Sequence, residues 1–166
     1  MPKTISLDFD GTLCSYESGW QGPRNIPDPP VPGAIDFLLR LLANDWDVAI
    51  FSTRSAQWGG RRAMKKWLRG YAAIHWMDAM HWMNDLETRI TGDTTPRDLW
   101  LRAGYSSGVD PIDEKADAAG KWLVKQIRWP KRKPAAFVGL DDRVIQFDGN
   151  FPSLDTLDNF KPWNKR

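Results

Sequence analysis

Residues 3–12 read Lys-Thr-Ile-Ser-Leu-Asp-Phe-Asp-Gly-Thr. Ile5, Leu7 and Phe9 are apolar at every second position, the pattern of a short strand over 3–9. Side chains two apart on a strand share a face, so Asp8 and Asp10 leave it side by side. Gly11 then permits a tight turn that presents backbone N–H groups to an anion. Two carboxylates so placed can divide the work of phosphoryl transfer. One attacks phosphorus, and the other handles the proton of the leaving group.

The rest of the chain supplies partners for that strand. Residues 33–43 form a helix, with Ile35, Leu38, Leu39 and Leu42 on one face, ended by Asn44-Asp45. Residues 46–51 are an apolar, β-branched run, expected as a buried strand, and Ser52-Thr53-Arg54 follow it. A second helix is predicted from about Arg61, with Met64, Trp67, Leu68 and Tyr71 on one face, continuing or restarting through 72–90. A short helix is expected over 96–103 and a longer one over 111–128, the latter carrying Ala116, Ala119, Leu123 and Ile127. Residues 135–140 read as another buried strand that runs into Asp141-Asp142, and 144–147 as one more. Strands alternating with helices predict an α/β fold, a Rossmann-like parallel sheet with helices on both faces. The expectation is a single domain over 1–166 with a Pro- and Gly-rich flap at 14–33 and a small helical insert at about 70–112.

Three polar clusters therefore each follow an apolar strand: Asp8 to Thr12, Ser52 to Arg54, and Asp141 to Arg143. In a parallel sheet they meet at the carboxyl edge, where such sheets bind ligands. Carboxylates gathered at one place repel, and a hard divalent cation with oxygen ligands resolves the repulsion. Magnesium is the usual choice beside phosphate.

The string LDFDGT resembles motif I of the haloacid dehalogenase-like (HAD) superfamily, IFSTR its motif II and VGLDDR its motif IV, in the family's order. The string KPAAFVGLDDR is similar to phage and bacterial members, and FSTRS with LDDR is similar to phosphatase domains of polynucleotide end repair. The resemblance implies a HAD-type phosphatase, with Asp8 as nucleophile and Asp10 as general acid and then base. It implies Mg2+ held by Asp8, the backbone carbonyl of Asp10, and Asp141 or Asp142. It implies Ser52, or its neighbour Thr53, on the transferring phosphoryl group. Asp at position 10 is typical of phosphatases and argues against dehalogenation. The family's motif III lysine has three candidates here: Lys115, Lys121 and Lys133. A continuous strand over 135–140 would leave Lys133 roughly 25 Å from Asp141 at about 3.3 Å per residue. Lys115, near the start of its helix, is favoured on that ground. Arg54 and Arg143 flank the site as candidate phosphate ligands or as ion-paired residues.

The chain has 166 residues, 42% hydrophobic and 27% charged, with a net charge of +2, an ordinary globular composition. The expected substrate is a nucleotide or another phosphorylated metabolite. Residues 121–133 carry Lys121, Lys125, Arg128, Lys131, Arg132 and Lys133 around Trp122 and Trp129, without an acidic residue. That stretch is read first as a solvated helix face and second as a nucleic-acid contact, which would make the protein a nucleic-acid 3′-end phosphatase. The 10 Trp residues are read in the same way, as core first and as a base-stacking surface second. A non-catalytic nucleotide- or protein-binding module on the same fold is the remaining alternative. The single Cys14 excludes an internal disulfide, and no membrane span or signal peptide is evident, so a cytoplasmic location is expected. His75 and His81 do not share a helix face and are read as structural.

Overall fold

The computed structural model of the chain describes residues 3–85, 112–144, 149 and 152–165. The helix expected at 96–103, most of the strand expected at 144–147 and the later part of the 70–112 insert lie outside the described residues.

Among the described residues three parallel strands form a sheet: β1 (Thr4–Leu7), β2 (Asp47–Ile50) and β3 (Val138–Leu140), in the order β2-β1-β3. Leu7 stands level with both Ile50 and Leu140, so all three strands end in register. The backbone of Arg128 extends the sheet beyond β2, donating to Val48 and accepting from Ile50. This contact also runs parallel to β2.

β1 is connected to β2 through α1 (Ala34–Ala43), whose apolar face of Ile35, Leu38 and Leu39 is buried. Gly33 precedes α1 with φ 81, a left-handed conformation suited to glycine. After β2 a 3-10 turn (Thr53–Ala56) leads into α2 (Gly60–Asp85). α2 is one continuous helix of 26 residues, with no break at 72, because Ala72, Trp76 and Met80 keep its buried stripe going. α3 (Ile112–Gln126) packs along α2. Gly120 allows the close approach, since a Cβ there would lie 3.1 Å from the Arg69 carbonyl carbon. The tail carries α4 (Leu154–Asp158).

β1 and β2 are buried on both faces, as strands of a parallel sheet usually are. β3 departs from expectation. It is three residues long, not six, and it is exposed, with Phe137 just before it 70% accessible. It lies at the edge of the sheet and pairs with β1 alone among the described strands. No helix of the described residues is long and apolar enough to cross a membrane.

Candidate active site

The in-register strand ends carry the three polar clusters to one edge of the sheet. The ladder continues through Asp8 N–H to the Leu140 carbonyl (2.9 Å) and Phe51 N–H to the Leu7 carbonyl (2.9 Å). Asp8 thus emerges between the Ser52 turn and Asp141. A cavity of about 800 Å³ opens there, lined by Asp8, Asp10, Ser52, Thr53, Lys133 and Asp141 among others. Ser6 lines it too, two residues before Asp8 on the same face of β1. Ile5, Leu7 and Phe9 point the other way, into the core, where Phe9 meets Trp67 edge-on at 4.9 Å between ring centres.

Asp8, Asp141 and Asp142 each bring one carboxylate oxygen within 4.8 Å of the others. Burial, helped by Asp141, Asp10 and Asp142, pushes the Asp8 carboxyl up to about 7, against a backbone hydrogen bond that lowers it. The Asp142 side chain is fully buried, and neither oxygen has a hydrogen-bond partner among the described residues. Burial and Asp141 raise its pKa, while Arg143, with Nε 3.5 Å from Oδ2, works in the opposite direction. Asp142 lies against Gly11, whose φ is 87, and a Cβ at position 11 would come within 2.6 Å of the Asp142 Cγ. The glycine is therefore required both for its backbone conformation and for the space it leaves to the carboxylate.

Asp10 has different surroundings. It is 8% exposed, and Arg54 Nε donates to its Oδ1 at 3.0 Å and its Oδ2 at 2.8 Å. Ser52 Oγ donates to Oδ2 at 3.2 Å. Its carboxylate stands apart from the Asp8, Asp141 and Asp142 group, so any part it takes in holding a metal falls to its backbone carbonyl.

Arg54 is 1% exposed and does not line the cavity. Its Nη1 donates to the Gly22 and Asn25 carbonyls at 2.6 and 3.2 Å, so Nε and Nη1 are committed to Asp10 and the flap. The flap is held in place at both ends. Ser15 N–H donates to the Pro29 carbonyl, Val31 N–H donates to the Leu13 carbonyl, and Asp28 accepts from Ser18. Arg54 thus couples flap 14–33 to Asp10.

The two hydroxyls also differ. Ser52 is 2% exposed and caps the 3-10 turn as well as binding Asp10, whereas Thr53 is exposed in the cavity wall. Among the lysines, Lys133 lines the cavity with Asp8, while Lys115 and Lys121 on α3 do not. Lys121 pairs with Asp117 at 3.0 Å. The distance argument against Lys133 assumed a strand over 135–140, but the strand begins only at Val138.

Tyr16, Phe51 and Arg143 complete the wall, and Arg143 lies 5.3 Å from the Tyr16 ring centre. Trp163, in the tail, donates through its indole N–H to the Gly11 carbonyl at 2.7 Å. No spacing or motif marked Trp163 or Tyr16 in advance, because each reaches the site only through a loop. Cys14 is buried with its thiol raised to about 11 by desolvation, which makes it unreactive. His75 sits on the surface 3.1 Å from Asp36.

Comparisons with models of protein families, with curated proteins and with solved structures find no match.

Proposed function

We propose that the chain is a magnesium-dependent phosphate monoester hydrolase of HAD type that works through an aspartyl-phosphate on Asp8. One observation carries the reading. A fully buried carboxylate, Asp142, has no hydrogen-bond partner for either oxygen among the described residues, only Arg143 Nε at 3.5 Å, and it stands beside two further carboxylates. Buried polar groups are satisfied almost without exception, so one such carboxylate beside two others fits a bound cation. The donors are all hard oxygens, which suits Mg2+.

Asp8, Asp141 and Asp142 would hold the ion, with the Asp10 backbone carbonyl as a further oxygen on the family resemblance. Bound there, Mg2+ would neutralise charge on the phosphoryl oxygens and stabilise the ionised form of Asp8. Asp8 Oδ attacks phosphorus, an Oδ–P bond forms, and the P–O bond to the leaving alcohol breaks. Asp10 gives its proton to that oxygen. Water then attacks phosphorus as Asp10 takes the water's proton, and the Asp8 carboxylate departs to leave inorganic phosphate. The Arg54 and Ser52 contacts hold Asp10 on the cavity wall. Lys133, Ser52 and Thr53 line the cavity with Asp8, and in this reading they meet the phosphoryl oxygens, with Lys133 taking the part of the motif III lysine.

The test is phosphate release from a panel of mononucleotides, sugar phosphates and phosphorylated oligonucleotides, with Mg2+ or with chelator, by the wild type and Asp8→Asn. Magnesium-dependent release that disappears in Asp8→Asn is expected. An Asp8→Asn protein that keeps full activity would rule the mechanism out. Tight ligand binding without turnover of any ester would point instead to a binding module.

A further inference from the structure

Two stretches of the chain contain no acidic residue: 48–77, between Asp47 and Asp78, and 118–140, between Asp117 and Asp141. They are distant in sequence, and the fold lays them side by side. Arg61 Nη1 donates to the Trp129 carbonyl at 3.2 Å, and Lys65 Nζ stands 5.9 Å from the Trp129 ring centre. Farther along, Arg69 pairs with Asp117. The first turns of α2 therefore meet the segment that follows α3.

The direction of that segment places its charge. The contact between Ala49 and Arg128 is parallel to β2, so the chain leaves Arg128 toward the edge where β2 delivers Ser52. Lys133 then enters the wall of the cavity beside Asp8. Arg69 and Arg128 are neutralised by Asp117 and Asp47. Arg62, Lys65, Lys131, Arg132 and Lys133 are exposed, and none forms an ion pair among the described residues. These five cations thus lie on the first turns of α2 and on the segment beside them that leads into the cavity wall at Lys133.

Exposed indoles accompany them. Trp58, between the 3-10 turn and α2, is 81% exposed with the Arg24 guanidinium 4.9 Å from its ring centre. Trp20, on the flap, is 45% exposed and lies 4.6 Å from the guanidinium of Arg54, the residue that holds Asp10. Rings held by a cation and otherwise open to water are suited to stack a flat partner.

We propose that this surface binds a single-stranded polynucleotide whose terminal phosphate enters the cavity, so that the substrate is a phosphorylated nucleic-acid end. The proposal rests on the hydrolase reading for the fate of that phosphate. A mononucleotide needs only the cavity, whereas the free cations extend past it onto α2, where further backbone phosphates would lie. A duplex keeps its bases stacked on one another, whereas a single strand can offer them to Trp58 and Trp20.

The test uses fluorescence anisotropy with labelled single-stranded DNA and RNA oligonucleotides in the Asp8→Asn background, each unphosphorylated, 3′-phosphorylated and 5′-phosphorylated. Affinity is expected to fall steeply with salt, with a log-log slope of about −0.7 for each cation engaged. Trp58→Ala, at a site too exposed to matter for folding, should weaken binding about tenfold, and Lys131→Ala/Arg132→Ala should flatten the salt slope by about 1.4. In proteins with Asp8 intact, both changes should lower kcat/KM for the phosphorylated oligonucleotide relative to that for p-nitrophenyl phosphate. Binding that is insensitive to salt and to both variants would overturn the proposal, as would equal binding of a poly-glutamate peptide. Asp8-dependent hydrolysis of p-nitrophenyl phosphate without oligonucleotide binding would overturn this proposal alone. Oligonucleotide binding with no hydrolysis of any ester would uphold the surface and overturn the hydrolase reading.

Discussion

Replacing Asp142 with Asn removes a charge and almost no volume from a side chain that has no access to solvent. In the metal-free protein that charge is a burden, since burial and Asp141 outweigh Arg143, and neither oxygen has a hydrogen bond among the described residues. An unsatisfied buried polar group costs about 1–3 kcal/mol, and more when charged. In chelator at neutral pH, Asp142→Asn is therefore expected to be more stable than the wild type by about 1–3 kcal/mol. For a chain of this length that is an increase of roughly 2–10 °C in melting temperature. Magnesium should reverse the order. A ligand at a hundred times its Kd adds about 2.7 kcal/mol to the wild type, and Asn, offering a neutral amide oxygen, should lose most of that gain. Thermal melts of both proteins in chelator and across a magnesium titration measure both arms. A variant less stable than the wild type in chelator, with an unchanged magnesium shift, would mean that Asp142 has a structural partner and that the three carboxylates are not a metal site.

Other perturbations follow from the same geometry. Because Asp8 is raised to about 7 from its ordinary 3.8, the metal-free folded state holds that proton more tightly than the unfolded chain does. Metal-free stability should then fall as pH rises through that window, by up to about 4 kcal/mol at about 1.36 kcal/mol per pH unit. Magnesium binding below that pH should release a proton, which calorimetry in buffers of different ionisation enthalpy detects. Arg54→Met strands the buried Asp10 carboxylate and two flap carbonyls, with an expected loss of about 3–5 kcal/mol in denaturant unfolding. Adding Asp10→Asn should restore part of that loss, and a strictly additive double mutant would refute the pairing. Gly11→Ala forces an L-residue into a left-handed turn and pushes Asp142 aside. It should cost about 1–2 kcal/mol of stability and weaken magnesium binding measured by the melting shift.

The convergence of Asp8, Ser52 and Asp141 was legible because it depends on local signals. Each residue directly follows an apolar run, and parallel strands that end in register bring such positions together. The role of Arg54 was left open between gripping phosphate and forming an ion pair, because a sequence does not show what surrounds a guanidinium. Its contacts with Asp10, Gly22 and Asn25 join a turn to a flap separated from it by the whole of α1 and β2. The placement of Lys133 was hidden for a related reason. The apolar letters of 135–140 suggested a full strand, but hydrogen bonding to β1 starts only at Phe137, and Lys133 reaches the cavity through irregular backbone.

By itself, the sequence determined the order of the described strands and main helices, the Asp-x-Asp-Gly turn, and the edge of the sheet at which the three polar clusters meet. These follow from periodicity and backbone preference, which act over a few residues. Only the tertiary structure decided that Asp142 is buried without a hydrogen bond among the described residues, that Asp10 belongs to Arg54, and that two acid-free stretches lie side by side. Each of these depends on burial and on distance between residues remote in the chain, and electrostatic energy is set by those two quantities whatever the separation in sequence.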